Sequence, residues 1–440
     1  MRRLRLSGAV FWAWTVSAVA GGAPDTAWDD CRAAVPDRSI AGCTEVLQRG
    51  SREPAAGRAE AYYSRAVVYF SNGDREKAAE DLNAAIRLNP NYVDALLRRG
   101  LANLEEGHWD RAIADYSAAI RLDSGNPEAF NNRGVAYFNK NDWDRAIKDY
   151  DAALRLNAQF VIALNNRGLA HFKKGRRDKA MADYGEAIRL DPNYVQAFLN
   201  RGRAYARSGD WNRAIADYDA AIWLDPNDAE TFHDRGNAYF KRGDWARSLA
   251  DYGKAIADYS AAIRINPRYA EAFNSRGAVY LALGSRDRDK AIADFSMAIR
   301  LDPDYVEAYN NRGLAYVRKG DADRAIADLD QAIRLDPNNV DAYNNRGLAY
   351  IRKGDADRAI ADYTVAIRLD PGNAEVLTNR GNAHFGKRDW DRAIADYDAA
   401  IRADPYYAEA FSNRGLAHAR KGEQEKAVAD YAKADRLMQR

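Results

Sequence analysis

Residues Glu128–Phe160 read EAFNNRGVAYFNKNDWDRAIKDYDAALRLNAQF, and the stretch returns with small variations along most of the chain. Its pivot is an arginine, Arg133, followed by Gly134. The same arginine stands at Arg65, Arg99, Arg133, Arg167, Arg201, Arg235, Arg276, Arg312, Arg346, Arg380 and Arg414. The intervals are 34, 34, 34, 34, 34, 41, 36, 34, 34 and 34 residues. Eleven copies at one dominant period describe an array of stacked supersecondary units, not the two or three globular domains that length alone would suggest.

Each copy predicts two short helices. Phe130, three before the pivot, Gly134, one after, and Tyr137, four after, fall within one arc of a helix turning about 100° per residue. Asn141-Asp142 then breaks the chain, with Asp142 placed as an N-cap. In the second helix Ala146, Tyr150 and Ala153 follow at spacings of four and three, again one stripe. Proline stops many copies, as at Pro192, Pro226 and Pro337. Glycine one after the pivot and alanine twenty after it let two backbones approach, and the aromatics four and seventeen after it fill the gap. One hairpin cannot bury both faces alone, so neighbours must stack.

This alternation of small and large residues resembles the tetratricopeptide repeat, in the exported bacterial type whose copies carry Asn-Arg-Gly. The resemblance extends from Ala59 to the C-terminus. It implies an all-α, right-handed superhelical solenoid of stacked antiparallel helix pairs, non-enzymatic and binding proteins or peptides. The chain departs from the family at the pivot, where Leu is common and Arg stands throughout. Sixteen residues after each pivot stands an aspartate: Asp81, Asp115, Asp149, Asp183, Asp217, Asp328, Asp362, Asp396 and Asp430, with Asp258 and Asp294 once insertions are allowed for. Arginine and aspartate each flank the apolar stripe of their own helix, which predicts a ladder of ion pairs along the seam. Half-buried bidentate pairs set registry more securely than they add stability. The matching acids neutralise the arginines as a ladder for acidic ligands.

Four segments follow: residues 1–23 as a signal peptide, 24–58 as a degenerate N-terminal helical hairpin, 59–268 as repeats one to six, and 269–440 as repeats seven to eleven. Arg2, Arg3 and Arg5 precede an apolar run to Ala20, with Ala18-Val19-Ala20 as a small-x-small cleavage site. The run is short for a membrane span, which needs about 20 apolar residues. Cleavage removes three arginines and no acids, taking the formal charge from +2 to −1. A chain so near neutral lacks the basic face that nucleic acid requires. Cys31 and Cys43 fall just after the signal, and an oxidising compartment makes a close pair a disulfide. The expected location is periplasmic or secreted. Within the hairpin, helices are expected over Thr26–Val35 and Arg38–Arg49. The 41-residue interval arises at Ala246–Ile263, ADYGKAIADYSAAI repeating its own unit; seven added residues turn a helix by about 700°, so the stripe keeps its face.

No phosphate-cradling loop, nucleophile elbow or metal-ligand spacing occurs, so the sequence points to no enzyme, cofactor or metal. His171, His384 and His418 replace the tyrosine four after the pivot and read as core substitutes. His108 lies in a turn, and His233 shares the first-helix face with Asp234 beside it. That face, opposite the apolar stripe, lines the concave groove in the tetratricopeptide family. Here it carries Asn131, Asn132, Asn165, Asn166, Asn200, Asn274, Asn310, Asn311, Asn344, Asn345, Asn379 and Asn413. A spaced row of amides offers donors and acceptors to an extended peptide backbone, and the alternative is that they bond neighbouring helices. The row is similar to the asparagine ladder of the tetratricopeptide domain of O-linked N-acetylglucosamine transferase; only a binding role carries over. Phe138, Phe172, Val317, Ile351 and Phe385 add apolar pockets, and Arg203, Arg207, Arg318 and Arg352 a local basic strip. A scaffold docking partners on its convex face or ends, and a polysaccharide binder, are the competing uses.

Overall fold

Small residues decide how these helices pair. In the computed structural model, which describes residues 25–243 and 248–438, a Cβ on Gly134 would come within 2.7 Å of the Tyr150 ring. The glycine is therefore the floor on which the aromatic of the second helix lies. Tyr116, Tyr150, Tyr184, Tyr218, Tyr259, Tyr363 and Tyr397 repeat the arrangement as the largest fully buried side chains, with Phe295 and Leu329 in the equivalent place of two copies. Burial pushes the phenols of Tyr116, Tyr150 and Tyr184 well above their ordinary pKa.

The described residues form 24 α-helices and no strand. The chain divides into two compact units, residues 1–225 and 226–440. In the first, a short pair, α1 (Thr26–Cys31) and α2 (Pro36–Gln48), precedes five full pairs. These are α3 (Ala55–Ser71) with α4 (Arg75–Leu88), α5 (Val93–Glu105) with α6 (Trp109–Leu122), and α7 (Pro127–Asn139) with α8 (Trp143–Leu156). Then come α9 (Val161–Lys173) with α10 (Arg177–Leu190), and α11 (Val195–Arg207) with α12 (Trp211–Leu224). The second unit stacks α13 (Ala229–Arg242) with α14 (Ser248–Ile265), α15 (Ala270–Leu283) with α16 (Arg288–Leu301), and α17 (Val306–Lys319) with α18 (Ala322–Leu335). It ends with α19 (Val340–Arg352) and α20 (Ala356–Leu369), α21 (Ala374–Gly386) and α22 (Trp390–Ala403), and α23 (Ala408–Lys421) and α24 (Gln424–Met438).

Within each unit the first helices of successive pairs touch one another, as α7 touches α9 and α17 touches α19. The turns inside the pairs use positive-φ residues, usually glycine as at Gly175, with Asn141 and Arg388 as non-glycine cases. Asp142 caps α8 by accepting from the Arg145 N–H at 3.1 Å. The heptad insertion lies in the second unit, where α14 runs 18 residues against 14 for α16 and α18. It duplicates an ion pair: Arg242 bonds Asp251 as Arg235 bonds Asp258.

Residues 1–23, expected to be a signal peptide, lie outside the described residues. At the N-terminal pair α1 is shorter than the periodicity suggests, and α2 begins two residues earlier and ends one earlier than expected. α1 stops at Cys31, because Val35 before Pro36 is held extended (φ −86°, ψ 118°) and Pro36 itself starts α2. Cys31 and Cys43 are joined in a disulfide, and both are buried with Ala27, Val46 and Ala61. Trp28 of α1 and Leu47 of α2 pack against the same cluster. No described helix is long and apolar enough to cross a membrane.

Candidate binding face

The repeated arginine organises everything around it. In all eleven copies its Nε and Nη2 donate to both oxygens of the aspartate on the second helix, as Arg133 does to Asp149 at 2.8 and 2.7 Å. Arg65, Arg99, Arg167, Arg201, Arg235, Arg276, Arg312, Arg346, Arg380 and Arg414 repeat the fork within 3.0 Å. The expected ladder of pairs is present. The acids hold Arg346 and Arg414 above their ordinary pKa, Asp362 and Asp430 contributing most.

The sequence did not disclose the third bond. Nη1 reaches back to the second helix of the preceding copy, to the residue sixteen before the arginine: Asn83 for Arg99, Ser117 for Arg133, Asp151 for Arg167, Thr364 for Arg380 and Asp398 for Arg414. Where this third bond forms, the guanidinium closes its own hairpin and clips it to the one before. Arg65 donates to Thr44 on α2 at 2.9 Å, so the disulfide-bonded pair is joined to the array as one more copy. At Arg201 the corresponding residue is Gly185, which offers no side-chain acceptor. The aromatic three before the pivot is a platform as well as core: Arg133 lies 5.6 Å over Phe130 and Arg346 5.5 Å over Tyr343.

The asparagines lie between successive first helices, and their free exposure, expected from the helical wheel, is not what packing leaves. In the first unit one chain of amides runs across three helices. Asn200 donates to Asn165 (2.8 Å), Asn165 to Asn166 (3.4 Å), Asn166 to Asn131 (3.2 Å) and Asn131 to Asn132 (3.0 Å). In the second unit Asn379 donates to Asn344, Asn345 to Asn310, and Asn311 to Asn274, at 2.9, 2.9 and 3.1 Å. Asn413 donates to Asn382 at 3.0 Å. Asn131, Asn165, Asn166, Asn200, Asn344 and Asn345 are buried; Asn132, Asn274, Asn310, Asn311, Asn379 and Asn413 are half-buried. An amide has two N–H groups and two acceptor positions, so the half-buried members keep bonding capacity toward solvent.

Of the apolar candidates, Phe138 and Val317 are buried, Phe172 and Phe385 half-buried, and Ile351 is 40% exposed. Leu416, two after its pivot, joins the exposed set at 38%; its place in the copy was the available signal. Arg207, Arg318 and Arg352 are exposed and Arg203 half-buried, with Arg207 5.3 Å over Phe172. His171 and His418 are buried, as expected of core substitutes, and His384 is half-buried. His233 differs from its expected setting beside Asp234 alone. It is buried, its ring 5.4 and 5.1 Å from those of Tyr259 and Tyr269, with Nε2 3.0 Å from Ser275 Oγ. Among the described residues no group of His, Cys, Asp and Glu is arranged to hold a metal.

A family model described as tetratricopeptide repeat matches residues 63–127, 131–195, 278–339, 311–374 and 378–438. Another, described as TPR repeat, matches 202–243 and 243–284, and a third tetratricopeptide repeat model matches 184–216. An uncharacterized protein of Methanocaldococcus jannaschii is 49% identical over 45 residues, 10% of this chain. The match covers 52% of that relative, so the chain spans about half its length. Among solved structures, the APC/C hetero-tetramer Cut9–Hcn1 is 16% identical with a TM-score of 0.47, covering 91% of this chain and 90% of that one. YrrB, a TPR protein with an unusual peptide-binding site, is 23% identical with a TM-score of 0.36, covering 44% and 95%.

Proposed function

This chain belongs to the tetratricopeptide repeat family, and from that premise we propose that it is a non-catalytic scaffold which binds an extended peptide or partner segment along its first-helix face. The observation that carries the reading is what packing leaves open there. Exposed Ile351 on α19 and Leu416 on α23 share the run of first helices that carries half-buried Asn310 and Asn311 on α17, Asn379 on α21 and Asn413 on α23, whose amides have capacity beyond the bonds they make to other asparagines. Apolar side chains spaced between backbone-binding amides suit an extended polypeptide. The buried asparagines serve as the floor. Cross-linking of the exported protein to its partner, read by mass spectrometry, should place the contacts on α17, α19, α21 and α23. Ile351→Ser with Leu416→Ser should weaken binding without lowering the unfolding temperature. Cross-links confined to second helices, with undiminished binding by that variant, would sink the reading.

A second-helix contact has one observation in its favour: Trp223, at the end of α12, is 80% exposed where other copies carry arginine, as at Arg121 and Arg155. The reading also includes export to the periplasm or beyond. The Cys31–Cys43 disulfide supports it, since such bonds persist in oxidising compartments. A mature chain beginning near Gly21 or Pro24 on N-terminal sequencing is the expected result.

A further inference from the structure

The fourth full copy departs from a pattern that six other copies keep. Second helices begin under a carboxylate: Asp74, Asp142, Asp210, Asp321, Asp355 and Asp389 each accept from the backbone N–H three residues on. At α10 the cap place is held by Arg176, which makes no capping bond. Arg177 and Lys179 follow in the first turn, where the helix dipole favours anions and disfavours cations. Asp178 is the single acid there. Of these cations, Arg177 bonds Ser208 of the next copy, and Arg176 and Lys179 are exposed.

A second, independent orphan lies against the same helix end. His171, on α9, is buried and its Nδ1 has no hydrogen-bond partner. The last copy shows what that atom is built to meet. There the equivalent histidine, His418, holds its Nδ1 2.7 Å from the carboxylate of Glu423, the residue at the cap place before α24. In the fourth copy that place is Arg176. One imidazole nitrogen and one helix N-terminus, side by side, therefore each lack a carboxylate at this place.

We propose that this socket takes a carboxylate from a partner polypeptide, an aspartate or glutamate side chain supplied in trans where other copies carry their own. The inference rests on the reading of the chain as a protein-binding scaffold and names the chemistry of one contact. The incoming carboxylate accepts from His171 Nδ1–H and from the uncapped N–H groups of α10, and Arg176 swings over it as a charge-assisted donor. Burial holds the imidazole below its ordinary pKa, with Arg167, Lys179 and Arg176 acting in the same direction and Asp183 against it. A neutral ring needs no counter-ion when the socket is empty. In the last copy Glu423 stands at that place, and six copies have a capping aspartate; α6 also begins without a capping bond, under His108, but there Asn103 stands in the place of the histidine and donates to Asp115 at 3.0 Å.

The test uses the full chain and a fluorescein-labelled peptide, acetyl-Gly-Ser-Glu-Glu-Ser-Gly-amide, followed by fluorescence anisotropy, with the all-glutamine peptide and inorganic phosphate as competitors. The acidic peptide should bind at least about tenfold more tightly than the glutamine one, as a charge-assisted contact requires. Arg176→Asp should fill the socket in cis, abolish peptide binding and raise the unfolding temperature. His171→Tyr, the residue of most copies at this place, should weaken binding and leave the fold intact. Equal binding of the glutamine peptide, or full binding by Arg176→Asp, would overturn the proposal. Phosphate displacing the peptide at equal concentration would overturn its choice of a carboxylate. If Arg176→Asp keeps the natural partner while Ile351→Ser with Leu416→Ser loses it, the socket is wrong and the scaffold stands.

Discussion

Replacing Arg346 by leucine removes three bonds at once. Two, at 2.8 and 2.6 Å, go to Asp362 on α20, and the third, at 2.6 Å, goes to Asp330 on α18. The side chain of Asp362 is only 8% exposed, so Arg346→Leu leaves a carboxylate that water reaches poorly. Breaking a fully buried pair from one side costs about 3–5 kcal/mol. Arg346 keeps 19% of its surface in solvent, and the seam can admit some water once it is gone, so a loss of about 2–3 kcal/mol is expected. Asp330 is half in solvent and loses little. Adding Asp362→Leu removes the stranded charge and should recover about half of the loss, since an apolar pair of similar volume is often tolerated there. Long arrays do not unfold as one step, so the readout is local. Amide hydrogen exchange by mass spectrometry, in peptides from α18, α19 and α20, reports the opening free energy of the affected copies. A double-mutant cycle with coupling below about 0.5 kcal/mol, the scatter of independent sites, would refute the pair as a working contact.

Gly347→Ala would place a Cβ 2.5 Å from Cε1 of Tyr363, a fully buried ring; a loss of about 1–3 kcal/mol by overpacking is expected, read as faster exchange in α19 and α20, and unchanged protection would count against the close approach. The Glu423 carboxyl is lowered from 4.5 to about 2 by its bonds from Lys426 and His418. Because the folded value is the lower one, its stabilisation is complete above pH 4.5 and is lost as the pH falls toward about 2; protection of α24 should decline over that window, and Glu423→Gln should remove the pH dependence.

The helices themselves were legible because period and residue size act locally. Gly134 and Tyr150 announce a close approach of two helices wherever the same spacing returns, and Arg133 with Asp149 announces a pair because each borders its own apolar stripe. The inserted heptad was legible for the same reason, as a repeat of its own motif. The shortened α1 was not read, since the helical pattern of Thr26–Val35 runs on past the point where Pro36 forbids it.

Contacts between copies were a different matter. The wheel places Asn165 and Asn166 opposite the core of their own hairpin, and nothing local says that the next first helix comes close enough to cover them. Only the stacked structure makes those amides partners of Asn131 and Asn200 and turns an expected open row into a buried chain. The third bond that most of the arginines make is hidden in the same way: its acceptor usually lies sixteen residues upstream, asparagine, serine, threonine or aspartate by turns, and only the meeting of two hairpins brings it within reach. Arg176 reads in sequence as one more surface cation; its consequence for His171 exists only where helix α10 begins against helix α9. Patterns within a hairpin follow from residue spacing along the chain, whereas bonds between hairpins depend on the distance at which two separately formed surfaces come to rest.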